Sequence, residues 1–254
     1  ENKIITLDKR TAQKIKEIEN LEDYHRDNYY FYPKIKQFLE ISNDISSEIP
    51  ENFEEKRRSN SNQNIILDLI QNDSIDEFIA YINQENYLLS SKVKPSIFET
   101  SAFLYKKNPT LIEYAAFYGS IKIFNYLRTN NIELTPSLWF YAIHGDNAEI
   151  INCLEENSIK PDLSYDYYYN EAIKCYHNDV ANYIQENYIE NKDSDQCFWT
   201  FLTCLEYHNF EFMKTEQINQ DMLGYLCNFN FNNLVKLLIN EDYCDINKIY
   251  KVYY

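Results

Sequence analysis

Four histidines and six cysteines are the side chains here that could hold a metal or serve as base and nucleophile. Cys197, Cys204 and His208 are separated by gaps of six and three residues. Structural zinc sites bring their ligands in closer pairs and need a fourth donor. No metal is expected there, and Cys204 reads as a small buried hydrophobe. No nucleophile elbow, paired-histidine zinc helix or kinase motif surrounds His25, His144, His177 or His208, so no catalytic residue is expected. His144, one step before Gly145, reads as a hydrogen-bonding or surface residue. Three glycines in 254 residues leave no phosphate-cradling loop, which needs two or three of them close together. No cofactor is expected, and the chain does not read as an enzyme.

Aromatic residues are the strongest compositional oddity, with 24 Tyr, 15 Phe and 2 Trp. Clusters stand at Tyr29–Tyr32, Tyr165–Tyr169 and Tyr250–Tyr254. Tyr and Trp are enriched in binding hot spots. The 165–169 cluster and Trp139 read as interface, and the other aromatics as core and rim filling in a Leu-poor chain.

The formal charge is −16. Such a chain is repelled by nucleic-acid phosphate and anionic lipid, so neither is an expected partner. From Asp146 onward 19 acidic side chains face 7 basic ones, a net of −12. That half favours a protein partner with a basic surface, with Glu155, Glu156 and Asp162 assisting association. Six sparse cysteines suggest free thiols in a reducing compartment. The longest apolar-leaning run, Cys197–Leu205, is far short of a membrane span, so no membrane insertion is expected. The chain reads as soluble and cytoplasmic, with a cytoskeletal association in view. A start at Glu1 suggests a processed or partial chain.

These side chains must be carried by helices. Hairpin dipeptides such as Asn-Gly and Asp-Gly are missing. Apolar residues recur instead at helical spacing, as in Ile121, Phe124 and Leu127. The blocks repeat. Shifting Thr110–Leu127 by 27 residues lays Ala115 on Ala142, Ile123 on Ile150, Phe124 on Ile151 and Leu127 on Leu154. A further shift of 30 reaches Ala172, Val180, Ala181 and Ile184. Weaker copies flank these, upstream at Ile70, Phe78, Ile79 and Ile82, and downstream at Cys204, Phe212 and Met213 and at Leu226, Leu234, Val235 and Leu238. The small residue lets two helices of a hairpin approach closely, and the apolar pair packs on the neighbouring hairpin. The mean spacing, about 31 residues, suits helix–turn–helix repeats.

Thr110–Leu127, with its Ala115-Ala116, Gly119 and Ile123-Phe124 steps, resembles the ankyrin pattern, and Cys244-Asp245-Ile246-Asn247 is similar to the family's Ala-Asp-Val-Asn step. The likeness covers about residues 64–250, strongest over 108–184, and looks like the divergent, Asn- and Tyr-rich, protist-type members. Leu111 stands where the family has Pro, Glu113 where it has His, and Tyr167 where it has Thr. The usual Thr–His pair of that turn is therefore lost, and glycine-poor inter-repeat tips should be short irregular loops. The resemblance implies an all-α fold: a right-handed α-solenoid of about six helix–turn–helix repeats over residues 64–254. Residues 1–63 would form an N-terminal helical extension or cap, ending in an exposed linker. It further implies a non-enzymatic protein-binding scaffold whose surface includes Glu113, Phe117, Trp139, His144, Tyr165, Tyr168 and Lys174. The alternative is a structural subunit of a large assembly, docked through its N-terminal arm and tyrosine clusters. The sequence leaves the oligomeric state open.

Overall fold

A computed structural model describes residues 64–94, Glu99, 101–190, 194–213 and 222–240. The N-terminal extension, the tyrosine clusters at 29–32 and 250–254, and the Cys244–Asn247 step lie outside the described residues. What is described is helical, without a strand among the described residues. The helices are α1 (Ile65–Gln71), α2 (Ile75–Gln84), α3 (Ala102–Lys107), α4 (Leu111–Phe117), α5 (Ile121–Thr129) and α6 (Leu138–His144). They continue with α7 (Ala148–Glu156), α8 (Tyr165–Lys174), α9 (Asn178–Tyr188), α10 (Ser194–Tyr207), α11 (Leu223–Asn228) and α12 (Asn232–Asn240). A 3-10 turn spans Phe210–Phe212.

Why the helices stop where they do follows from their turns. In the turn after α4 the Ser120 N–H reaches back to the Ala115 carbonyl, and Gly119 N–H to Ala116. His177 to Ala172 and Phe231 to Leu226 repeat the same bond. Such Schellman closures need one left-handed residue, usually glycine. Here that residue is Asp73, Gly119, Tyr176 or Asn230, and Asp146 and His208 hold the same left-handed position in their turns, with φ between 48° and 64°. Asn, Asp and His visit this region more readily than other side-chain-bearing residues. A chain with three glycines thus still makes tight helical hairpins. The same device closes α2, α5 and α7 at Asn86, Asn131 and Ser158.

Helix starts are capped by the sequence as well. Asn147 accepts from the Glu149 and Ile150 N–H groups at 3.0 and 3.1 Å. Thr110 and Glu113 form a capping box: Glu113 Oε2 accepts from the Thr110 N–H at 2.8 Å, and Thr110 Oγ1 from the Glu113 N–H at 3.4 Å. Glu113 therefore takes over a turn that lacks the Thr–His pair.

The described residues fall into two compact units, one running up to Ala115 and including Ser120–Ile132, the other comprising Ala116–Gly119 and the chain from Glu133 onward. In the first unit α1 pairs with α2, and α2 packs on α5, where Phe78 meets Tyr126 edge-on at 6.2 Å. Ile66, Leu67, Ile70, Phe78, Ile123, Phe124 and Leu127 are buried there. The wide spacing between the first two copies has a cause: α3 and the Lys92–Thr110 bridge are inserted between them. In the second unit α6 pairs with α7 and α8 with α9, while α8 also packs on both α6 and α10. Ala142, Ala172 and Cys204 are fully buried, as are Ile150, Leu154, Ala181 and Ile184. Phe201, Leu205, Leu223, Tyr225 and Leu226 join α10 to α11, with Leu234 and Val235 of α12 packed against them. One copy departs from expectation. The Phe212–Met213 pair, expected on an α-helix, sits at the end of the 3-10 turn, and both residues are only half-buried.

A row of polar bonds ties successive hairpins together. The residue just before each second helix reaches back to a carbonyl in the preceding hairpin. In the first unit Ser120 Oγ donates to the Ile70 carbonyl at 2.5 Å. In the second, Asn147 Nδ2 donates to Gly119, His177 Nδ1 to Ile143 and Asn209 Nδ2 to Ile173, at 3.3, 2.6 and 2.8 Å. Each of these four residues lies five places after its small or apolar anchor, so the ladder follows the sequence register.

Candidate functional site

In the second unit a continuous chain of side-chain contacts runs from Phe117 to Tyr207. Phe117 stacks on His144, with ring centroids 5.3 Å apart. His144 Nε2 meets Glu171 Oε1 at 2.9 Å, and Lys174 Nζ lies 3.4 Å from both Glu171 oxygens. The Lys174 ammonium then faces the Tyr207 ring, 5.5 Å from its centroid. Phe117, His144 and Lys174 each stand two residues after their alanine anchors, which puts them in one row across neighbouring hairpins.

Cys175 completes the cluster. Its Sγ lies 3.4 Å from His144 Nδ1 and 3.9 Å from Nε2. His144 thus bridges the Glu171 carboxylate, which accepts from Nε2–H, and the Cys175 thiol at Nδ1. Burial pushes the Glu171 carboxyl up, but the His144 hydrogen bond and the Lys174 charge outweigh it and the net direction is down. Burial pulls the Lys174 ammonium down, and Glu171 reverses this to a net rise. Burial and then the Glu171 charge push the Cys175 thiol up to about 12. A nucleophile needs thiolate near neutral pH, so this thiol is poorly placed for acyl transfer. His144, Glu171 and Cys175 do, however, present one nitrogen, one oxygen and one sulfur within 4.8 Å of one another.

Beside the cluster a groove of about 450 Å³ opens between α8 and α10. Its lining includes the rings of Tyr167, Trp199 and Tyr207, the carboxylates of Asp166, Glu171 and Glu206, and the cation of Lys174. Tyr167 and Trp199 are 54% and 61% exposed, unusual for rings of their size. They occupy the same register position, five residues before Ala172 and Cys204.

The structure redistributes the residues expected on the binding surface. Trp139 and Tyr168 are corrected: both are buried in the core. Trp139 donates through Nε1 to the Ile159 carbonyl at 2.8 Å, and Tyr168 donates to Asp162 at 2.5 Å. Burying these rings removes a large apolar area from water while each polar end keeps a hydrogen-bond partner. Tyr165 is half-buried and stacked on Tyr188 at 4.1 Å, away from the row above. Glu113 lies in the first unit, where its carboxylate is engaged in the capping box. Phe117, His144 and Lys174 come together, joined through Glu171. Two of the acidic residues expected to assist association are also committed: Glu155 accepts from Tyr183 and Tyr188 at 2.9 and 2.5 Å, and Asp162 holds Tyr168. Sequence reasoning missed Glu171, Cys175, Trp199 and Tyr207. The register could have found them, since Glu171 and Cys175 are one helical turn apart and flank the anchor Ala172.

The described residues thus define an all-α protein of short helical hairpins that bears an acidic, aromatic groove. No described helix is long and apolar enough to cross a membrane. Comparison with protein-family models, curated proteins and solved structures found no match to this chain.

Proposed function

We propose that this chain is a protein-binding scaffold, a divergent ankyrin-like solenoid, whose second unit grips a basic segment of a partner protein in the α8–α10 groove. The observation that carries this reading is the pairing of exposed rings with carboxylates in one groove. A Lys or Arg side chain entering there would lie over Trp199 and Tyr167 and within reach of Asp166 and Glu206. A cation over an aromatic face gains about 0.5–1 kcal/mol at an exposed site, and more when desolvated. The surrounding chain from Asp146 has a net charge of −12, which attracts such a segment and repels an acidic one. The polar ladder and the buried alanines support the repeat register on which the solenoid reading rests.

Tryptophan fluorescence tests it, because Trp139 is buried and Trp199 is exposed. An Arg/Lys-rich peptide should shift the emission of the native protein, with an affinity that falls as salt rises. Trp199→Ala and the Asp166→Asn, Glu206→Gln pair should each weaken binding about tenfold, as measured by calorimetry. Equal binding of an acidic peptide, or unchanged affinity in both variants, would overturn the reading.

A further inference from the structure

We propose that His144, Glu171 and Cys175 form a zinc(II) site in the second unit, with its fourth position open to solvent. The donor set argues for the metal. Mixed sulfur, nitrogen and carboxylate donors suit zinc, whereas magnesium and calcium take oxygen alone. Glu171 lies in the last turn of α8 and Cys175 is the residue that caps its C-terminal end, four places on and still in the right-handed backbone region, so their side chains leave the same side. His144 arrives from the end of α6, and its Nε2 is the common vertex, 2.9 Å from Glu171 Oε1 and 3.9 Å from Cys175 Sγ. Tetrahedral zinc with bonds of about 2.0–2.3 Å places neighbouring donors about 3.3–3.6 Å apart. None of the three donor pairs exceeds 4.8 Å, so small side-chain rotations close the triangle.

The surroundings suit an ion. His144 and Glu171 side chains are 13% and 10% exposed, largely withdrawn from water yet still accessible. Glu171 also lines the groove, which gives an ion an entry path and leaves room for water at the fourth position. Lys174 is 40% exposed and can keep one carboxylate oxygen while the other turns to the metal. On binding, the Cys175 thiol gives its proton to solvent and the His144 Nε2 hydrogen moves to Nδ1. One thiolate and one carboxylate then balance the two positive charges of the ion.

The full chain, stripped with chelator, is titrated with zinc chloride by calorimetry and with cobalt(II) by absorption. One equivalent should bind, and cobalt should give a near-ultraviolet thiolate band with the intense visible bands of tetrahedral coordination. Cys175→Ser, His144→Gln and Glu171→Gln should each weaken zinc roughly tenfold or more, and Cys175→Ser should abolish the thiolate band. Cys227→Ser, which removes an exposed cysteine, should change neither. In the native protein, one equivalent of zinc should slow alkylation of Cys175 and leave Cys227 unaffected, a readout that requires no variant to fold. Absence of stoichiometric binding, a cobalt spectrum without thiolate character, or unprotected Cys175 would overturn the site. Failure here leaves the peptide titration untouched, since that depends on Trp199, Asp166 and Glu206.

Discussion

At the scale of single residues, the polar ladder carries more than its few atoms suggest. Asn209 is 4% exposed, and its Nδ2 donates both to the Ile173 carbonyl and to Asn178 Oδ1, each at 2.8 Å. A buried acceptor that loses its donor costs about 1–3 kcal/mol. Asn209→Ala should therefore lower stability by about that amount, as a shift in urea midpoint at unchanged slope. Asn209→Asp should cost more, because it sets a carboxylate against two oxygen acceptors. His177 does the same work one hairpin earlier with its Nδ1–H. This gives a structural role to a histidine whose residue type alone suggested metal or base chemistry.

At the scale of elements, the turns set the limits. Gly145 has an ordinary backbone angle, but a Cβ there would lie 2.1 Å from the Ala116 carbonyl oxygen. Since that neighbour is backbone and cannot rotate away, Gly145→Ala should force the α4 end and the α6 end apart. Its melting temperature should fall by several degrees, which corresponds to about 1–3 kcal/mol for overpacking. Ser158 is the opposite case. It closes α7 with φ of 56°, its N–H bonded to the Glu155 carbonyl. A left-handed residue with a Cβ costs about 1–2 kcal/mol relative to the ordinary helical region, so Ser158→Gly should stabilise the protein by a fraction of that amount after the entropy of glycine is counted. Thermal melts of the two variants should move in opposite directions. A shift in the same direction would show that the turns do not limit these helices.

At the scale of the whole molecule, the abundance of tyrosine makes stability depend on alkaline pH. Burial is the leading cause that raises the phenols of Tyr165, Tyr168, Tyr169, Tyr183, Tyr188 and Tyr207 above 10. Glu155 adds to the shift at Tyr165, Tyr183 and Tyr188, and Asp162 at Tyr168. Folding holds these groups protonated after the unfolded chain has begun to ionise. Their contribution is complete below pH about 10 and is lost as pH climbs through the raised folded values. Far-ultraviolet circular dichroism and tyrosinate absorbance, followed together from pH 9 upward, should show ionisation arriving with loss of helix. Smooth ionisation of most tyrosines with the helices intact would contradict this.

Periodicity made the helical class, the hairpin register and the buried anchors legible in the sequence. The spacing of Ala115, Ala142, Ala172 and Cys204 is a one-dimensional record of which side must face a neighbour, and all four are buried. The surface was less legible, because a register says which positions share a face but not which aromatic rings the core will absorb. Trp139 and Tyr168 went inward, where the Ile159 carbonyl beyond α7 and the Asp162 carboxylate before α8 accept from their polar ends. Trp199 stayed outside beside Tyr167. Glu171, Cys175 and His144 are separated by up to 31 residues, and only the packing of α6 on α8 sets their donor atoms a few ångströms apart. Residue type and period determine helices and their buried faces locally, whereas a site built from two helices depends on distances that only tertiary packing fixes.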